Sequence, residues 1–298
     1  RSSDLSDWRD RPVLGLNGKP VQEKKRSKDY NEPLPALSLM YHLSDEWKLF
    51  ANYSESFGSL QYFQLGQGGS GNDTAAGLEP EKAKTYELGT RYDNGSWGGE
   101  ITLFYIDFDD ELQYVSNDVG WTNLGATKHQ GIETSGHYDF AALDPRLDGL
   151  SVYGSLTYTR ATYEGDIPSF KGRDLPLYSR QVATAGVRYE VDRWTYNLDA
   201  FAQSMQRAPG LSTDSQGNFT HNYITEPSAD GQYGDIPGYV TWNARVGYDF
   251  GPQASNLKLG LGVKNLFDKQ YFTRSSDNNS GIYVGQPRTL FMQASVGF

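Results

Sequence analysis

Four histidines, His42, His129, His137 and His221, are the only imidazoles in a chain of 298 residues that contains no cysteine. Their separations match no metal-ligand spacing, and the missing thiols exclude a cysteine zinc site, a thiol nucleophile and a disulfide framework. No Gly-x-Ser-x-Gly elbow offers an activated serine. Residues 66–71, Gly-Gln-Gly-Gly-Ser-Gly, have the glycine spacing of a phosphate cradle. The pattern places no buried parallel strand before them and no helix after, so a flexible loop is expected. Asp107, Asp109, Asp110 and Glu111 could bring hard oxygens to a divalent cation, but at a strand end they read as a solvated rim. The inventory predicts no enzyme active site and no resident cofactor.

The net charge of −10, from 27 Lys+Arg against 37 Asp+Glu, argues against nucleic acid as a partner, because displacing phosphate counterions needs a cationic excess. The one dense basic run, Glu23 to Lys28, reads as a solvated loop. Arg1 to Asp10 is polar and carries no apolar leader core. Glycine is abundant at 33 residues and aromatics make up 14% of the chain, while Leu, Ile and Val are sparse. No run approaches the ~18 consecutive apolar residues of a membrane helix. A membrane β-barrel stays open, since its lipid face uses only every second residue.

Two-residue alternation recurs along the chain and predicts half-buried strands. Val240, Trp242, Ala244, Val246, Tyr248 and Phe250 share one face, against Thr241, Asn243, Arg245, Gly247 and Asp249 on the other. Leu257, Leu259, Leu261 and Val263 repeat the pattern, as do Leu290, Met292, Ala294 and Val296. Eleven strands are expected, near 36–43, 47–56, 84–92, 97–108, 127–139, 150–160, 179–190, 193–204, 238–250, 257–268 and 286–298. Short turns alternate with long polar loops of about 15 to 35 residues, as an up-and-down barrel requires with short periplasmic turns and long extracellular loops. Trp47, Trp97, Trp194, Trp242, Tyr248 and Phe250 fall near strand ends, where interfacial aromatics belong. The fold class is therefore all-β, a transmembrane antiparallel β-barrel. An odd strand count cannot close a single-chain bacterial barrel. Residues 1–298 accordingly read as the C-terminal part of a larger one, with 1–35 an extracellular-loop or disordered lead-in. A carbohydrate-binding β-sandwich and a passive porin-like channel are the rival readings.

Four blocks stand in order: Leu78 to Tyr92; Asn123-Leu124-Gly125 with Gly131-Ile132-Glu133; Val263 to Asp268 with Tyr271; and Gly285 to Thr289, running on to Phe298. Together they resemble the TonB-dependent outer-membrane receptors. Locally, Pro80 precedes a strand, Asn265 and Asp268 end one, and Pro287 opens the last. Leu39 to Leu43, Ser56 to Gln61, Asp249 to Gln253 and above all Asp277 to Arg288 are most similar to the ferric citrate receptors. The resemblance implies a 22-stranded barrel, of which eleven strands would be half. It also implies an outer-membrane location, outer-membrane lipid around the barrel, an N-terminal plug absent from this sequence, and energy drawn from the TonB complex through that plug. It further implies that the terminal Phe298 is read by the outer-membrane assembly machinery.

The expected cargo is a ferric chelate, transported rather than held as a cofactor. An anionic carboxylate chelate calls for Arg, Lys and amide or hydroxyl donors. The resemblance puts Asn278, in the last extracellular loop, in the ligand set. A family glutamine between 109 and 126 has no match, since the ungapped position is Ser116. Arg274 and Gln61 join the candidates because each sits where a strand passes into an extracellular loop.

Overall fold

The computed structural model describes residues 31–61, 78–116, 120–123, 125–165, 171–208, 211–213, 216, 219–221, 234–275 and 282–297. The strands of its main sheet are β1 (Ala36–His42), β2 (Trp47–Gly58), β3 (Glu81–Asp93), β4 (Trp97–Asp109), β5 (Thr127–Asp139) and β6 (Leu150–Tyr163). They continue as β7 (Gln181–Val191), β8 (Trp194–Gln203), β9 (Tyr239–Asp249), β10 (Lys258–Lys264) and β11 (Thr289–Ser295). Each pairs antiparallel with the next, giving one eleven-stranded meander in which chain order equals spatial order. A single sheet of this kind is not a sandwich. All eleven expected strands are present; β3 begins three residues earlier than expected, at Glu81, β6 runs three residues further, to Tyr163, and the last two strands are shorter than expected. β10 stops at Lys264 because Asn265 takes φ 51°, and β11 starts at Thr289, beyond Pro287.

The short turns close through local polar side chains. Asn94 Oδ1 accepts the Ser96 and Trp97 N–H groups at 3.0 and 2.9 Å, while Gly95 takes φ 86°. Asp139 and Asp144 cap the two 3-10 turns between β5 and β6. At the opposite end, several long connections carry short two-stranded extensions that alternation alone had not separated from loop. These are Leu112–Ser116 with Gly120–Asn123, Gln206–Arg207 with Asp235–Ile236, Leu211–Thr213 with Phe219–His221, and Phe272–Ser275 with Ile282–Val284.

The register makes the two faces continuous across strands. Leu198 lies opposite Ala244, Ala244 opposite Val263, and Val263 opposite Leu290, so one apolar face runs through β8–β11. It extends to β1 through Leu39, Ala51, Leu88, Leu103 and Ile132, each opposite the next. Leu39, Leu88, Leu103, Leu261, Leu290 and Met292 are all exposed on it. A contiguous apolar face of this extent is foreign to a water-soluble monomer and suited to lipid. Near the short turns it is edged by Trp47, Tyr92 and Trp97, and by Trp194 against Tyr248 at 4.6 Å. Towards the long connections, Tyr53, Tyr86 and Tyr105 form a second edge, with ring centroids 5.1 and 6.1 Å apart. Trp242 meets Phe267 at that end.

The inner face is polar and laced by hydrogen bonds. Tyr153 lies flat over Gly186 of β7, and its hydroxyl donates to Asn197 Oδ1 of β8 at 3.1 Å. Asn197 and Asn243 both donate to the Asp199 carboxylate, at 2.9 and 2.7 Å. Phe50 over Gly89, Phe104 over Gly131 and Phe291 over Gly262 repeat the aromatic-on-glycine arrangement. In each, the missing side chain lets a ring lie along the wall instead of projecting inward.

Candidate functional site: the mouth at the long connections

Among the described residues, the buried apolar side chains collect at the long-connection end: Leu60, Leu78, Ala83, Ala161, Tyr163, Leu175, Ala208 and Ile236. Ala83, Ala161 and Tyr163 lie at the mouth-side ends of β3 and β6 and the others on the connections, so loops and strand ends pack together and make the mouth a built structure. The clasps that hold it come largely from the motif blocks. Asn123 Oδ1 accepts the Glu79 N–H at 2.9 Å, and its Nδ2 donates to the Glu79 and Asp110 carbonyls at 2.9 and 2.7 Å. That side chain ties the end of the β2–β3 connection to both ends of the β4–β5 connection. The Glu164 and Gly165 N–H groups reach the Ala126 carbonyl, and the Leu177 N–H reaches the Arg207 carbonyl at 2.7 Å. Buried Gln206 donates to the Thr273 carbonyl. Successive long connections are thus joined from residue 79 to residue 273.

The last connection is closed on itself. Asn265, buried and left-handed, donates to the Lys269 and Gln286 carbonyls at 2.8 and 3.0 Å and accepts the Lys269 N–H at 2.8 Å. Asp268 Oδ1 accepts the Arg288 N–H at 2.9 Å. The third and fourth motif blocks therefore meet in space, holding the base of the segment that carries Arg274 and Asn278.

Between β3, β4 and β5 the mouth holds a cluster of titratable groups. Glu81 accepts the Leu112 N–H at 2.7 Å, and Glu111 accepts the Thr127 hydroxyl. His129 Nε2 lies 3.9 Å from Glu111 Oε2, its ring edge-on to Phe108 at 5.1 Å and to Tyr178 at 5.0 Å. Burial pushes the Glu81 carboxyl above its usual range and Glu111 adds to the rise, against the Leu112 N–H, which favours the ionised form. Its protonated form is thus favoured in the folded mouth. That contribution is present at low pH and is lost as pH rises through the raised value. Tyr178 is pushed up to about 12 by burial and by Glu111 and Glu81.

Of the ligand candidates, Gln61 is exposed just beyond β2, after buried Leu60. Ser116 ends the first strand of the β4–β5 extension, opposite Gly120. Arg274 is exposed on the β10–β11 extension, opposite Tyr283, beside a register shift at Thr273. All three lie at the mouth but on separate connections. Asn278, Phe298 and residues 66–71 lie outside the described residues. The acidic group divides: Asp107 and Asp109 have outward positions on β4, Asp110 takes φ 58° and gives its carbonyl to Asn123, and Glu111 turns towards Thr127. Among the described residues no group of three or more His, Asp or Glu is arranged to hold a metal ion. Sequence reasoning missed Gln206, gave Asn123 and Glu81 only as parts of motif blocks, and named Glu111 and His129 without the contacts that bring them together. Membership of a motif block was the available signal for Asn123 and Glu81.

Asn123→Ala removes three hydrogen bonds at once, each worth about 0.5–1.5 kcal/mol net. The expected result is selective loss of protection from proteolysis in 59–80 and 110–126, with the barrel strands unaffected. Uniform loss or no loss would count against the clasp.

The family described as "TonB dependent receptor-like, beta-barrel" matches residues 6–266. The chain is 26% identical over 290 residues to the metal-pseudopaline receptor CntO of Pseudomonas aeruginosa, covering 95% of this chain and 36% of that protein. It is 25% identical over 295 residues to the catecholate siderophore receptor Fiu of Escherichia coli K12, covering 96% and 35%. The chain thus spans about a third of the length of the curated relatives it matches. Among solved structures, the unliganded ferric citrate transporter FecA is similar at a TM-score of 0.73 and 44% identity, over 89% of this chain and 38% of that one. The copper transporter OprC, at a TM-score of 0.72 and 18% identity over 98% of this chain and 43% of that one, shares the fold.

Proposed function

Since this chain belongs to the TonB-dependent receptor β-barrel family, we propose that it forms half of an outer-membrane receptor barrel that takes up a ferric chelate of the citrate type. The observation that carries the choice of cargo is the 44% identity to the ferric citrate transporter across 89% of the chain. An anionic chelate meets a chain of net charge −10, so local donors at the mouth must offset an unfavourable field. Arg274 supplies a planar charged fork on the last extension; Asn278, Gln61 and Ser116 supply neutral donors. The clasped loop bases keep Arg274, Gln61 and Ser116 at one end of the barrel. The remaining strands, a plug and the TonB contact that powers transport would come from the rest of the receptor. Phe298 is the proposed signal for the assembly machinery. Family membership disfavours a passive channel, which has no plug to move.

Isothermal titration of the full-length receptor with ferric citrate tests the reading. Asn278→Ala and Arg274→Ala should each weaken binding roughly 13- to 160-fold, the range for one hydrogen bond to a charged group, with heat resistance of the barrel unchanged. Wild-type affinity in both variants would overturn the site. Failure of the intact receptor to bind would overturn the citrate assignment.

A further inference from the structure

One carboxylate on the inner wall stands at the centre of a hydrogen-bond chain that ends at the last connection. Asp199 of β8 lies opposite Gly186 on β7 and Asn243 on β9, with Asn197 two residues away on its own strand. Its Oδ1 accepts from Asn197 Nδ2 at 2.9 Å and its Oδ2 from Asn243 Nδ2 at 2.7 Å. A carboxylate can only accept, so both amides must turn their NH2 groups towards it and their oxygens away. The Asn197 oxygen then takes the Tyr153 hydroxyl at 3.1 Å, and the Asn243 oxygen takes the backbone N–H of Asn265 at 3.1 Å.

The two ends of this chain are not equivalent. A hydroxyl both donates and accepts, so Tyr153 would tolerate a reversed Asn197. A backbone N–H only donates, so a reversed Asn243 would set donor against donor at Asn265. That N–H has been turned out of the ladder: β10 ends at Lys264, Asn265 is left-handed, and the next N–H, of Leu266, returns to the Trp242 carbonyl. Asn265 is buried, so its N–H needs an acceptor that the strands no longer supply. Its side chain in turn holds Lys269 and Gln286, at the two ends of the last connection. The segment Phe272–Ser275, which bears Arg274, begins just after Lys269.

We propose that Asp199 is a positioning residue for chelate capture: it fixes the Asn243 amide with its oxygen towards the Asn265 N–H, and so holds from the inner wall the connection that carries Arg274. It acts through Asn243 and Asn265. Its effect on binding rests on Arg274 being a chelate ligand, as proposed above; its effect on the connection does not. The polarity of the chain also makes the choice of residue specific. At 199 an apolar side chain would leave Asn243 without its acceptor, and at 243 a carboxylate would face the one already at 199. Exchanging the two residues, by contrast, satisfies every partner at the same total charge. The amide at 199 would accept from Asn197 and donate to the carboxylate at 243, whose oxygens would also take the Asn265 N–H.

Hydrogen exchange and ferric citrate titration of the full-length receptor test this together. Asp199→Ala and Asn243→Asp should each speed backbone exchange at 265–269 about tenfold, the opening free energy of one hydrogen bond, and weaken ferric citrate binding several-fold. Exchange around the Asn123 clasp should not change, and heat-modifiable mobility should show every variant folded. The double exchange, Asp199→Asn with Asn243→Asp, should restore both readouts towards wild type, which a purely structural loss at either position would not do. Unchanged exchange at 265–269 in Asp199→Ala, equal loosening at the Asn123 clasp, or a double variant no better than Asn243→Asp overturns the proposal. So does wild-type ferric citrate affinity in Asp199→Ala when Arg274→Ala on the same preparation weakens binding. Failure of the intact receptor to bind ferric citrate overturns the chelate reading instead, and the exchange results then decide the positioning role by themselves.

Discussion

Leu261→Arg in the full-length receptor should lower the unfolding free energy by about 2–4 kcal/mol, the cost of an arginine at the midplane of a barrel's lipid face. Leu261 is exposed on the apolar face, opposite Val246 on β9 and Met292 on β11, and the residues around it are hydrocarbon. Val246→Arg should behave alike. Leu259, two residues nearer the short turn, lies opposite Tyr248, which packs against Trp194 at the aromatic edge. An arginine there can reach the interface, so the cost should fall to about 0–1 kcal/mol. The inward Thr85→Ser should stay within about 0.5 kcal/mol. Reversible urea unfolding in lipid vesicles measures all four. A Leu259 cost equal to that of Leu261 would misplace the aromatic edge, and a costly Thr85→Ser would reverse the faces.

Gly131→Ala should be nearly as damaging, although it adds one methyl group on the inner face. A β-carbon there would stand 1.9 Å from the Tyr158 carbonyl oxygen and 2.7 Å from the Phe104 ring. The carbonyl belongs to the strand that pairs with β5 through thirteen residues, Thr127 to Asp139, so it cannot withdraw without breaking the ladder. A loss of about 3 kcal/mol, the upper part of the usual overpacking range, is expected. Gly186→Ala provides the contrast. There the added carbon meets only the Tyr153 ring, at 2.3 Å, and a side chain can swing away. The expected cost is the Tyr153–Asn197 hydrogen bond, about 1 kcal/mol. Equilibrium unfolding of the two variants decides the point, since equal costs would mean that ring and backbone yield alike.

Most of the strand plan was legible without coordinates. Alternation such as Val240, Trp242, Ala244, Val246 repeats over many residues, and a one-residue slip would turn every side chain to the wrong face. The alternation of short and long connections made the meander readable as well. Strand ends were less legible where a polar residue interrupts an apolar run: Leu266 and Phe267 continue the look of β10, but Asn265 has already turned the chain. The candidate site was legible only as a list of residues. Gln61 does follow the end of β2, but Arg274 lies on the short extension well beyond β10, and the contacts that build the mouth were not foreseen.

The sequence by itself determined the all-β class, the eleven strands and the identity of the two faces. These depend on period-two patterning and turn chemistry, which are local properties of the chain. Only the tertiary structure decided that Asn123 joins two loop bases, and that Asn265 and Asp268 draw together blocks some twenty residues apart. Those facts depend on strand register and loop packing, where partners far apart in sequence meet because a shared backbone ladder brings them together. No spacing along the chain encodes that meeting.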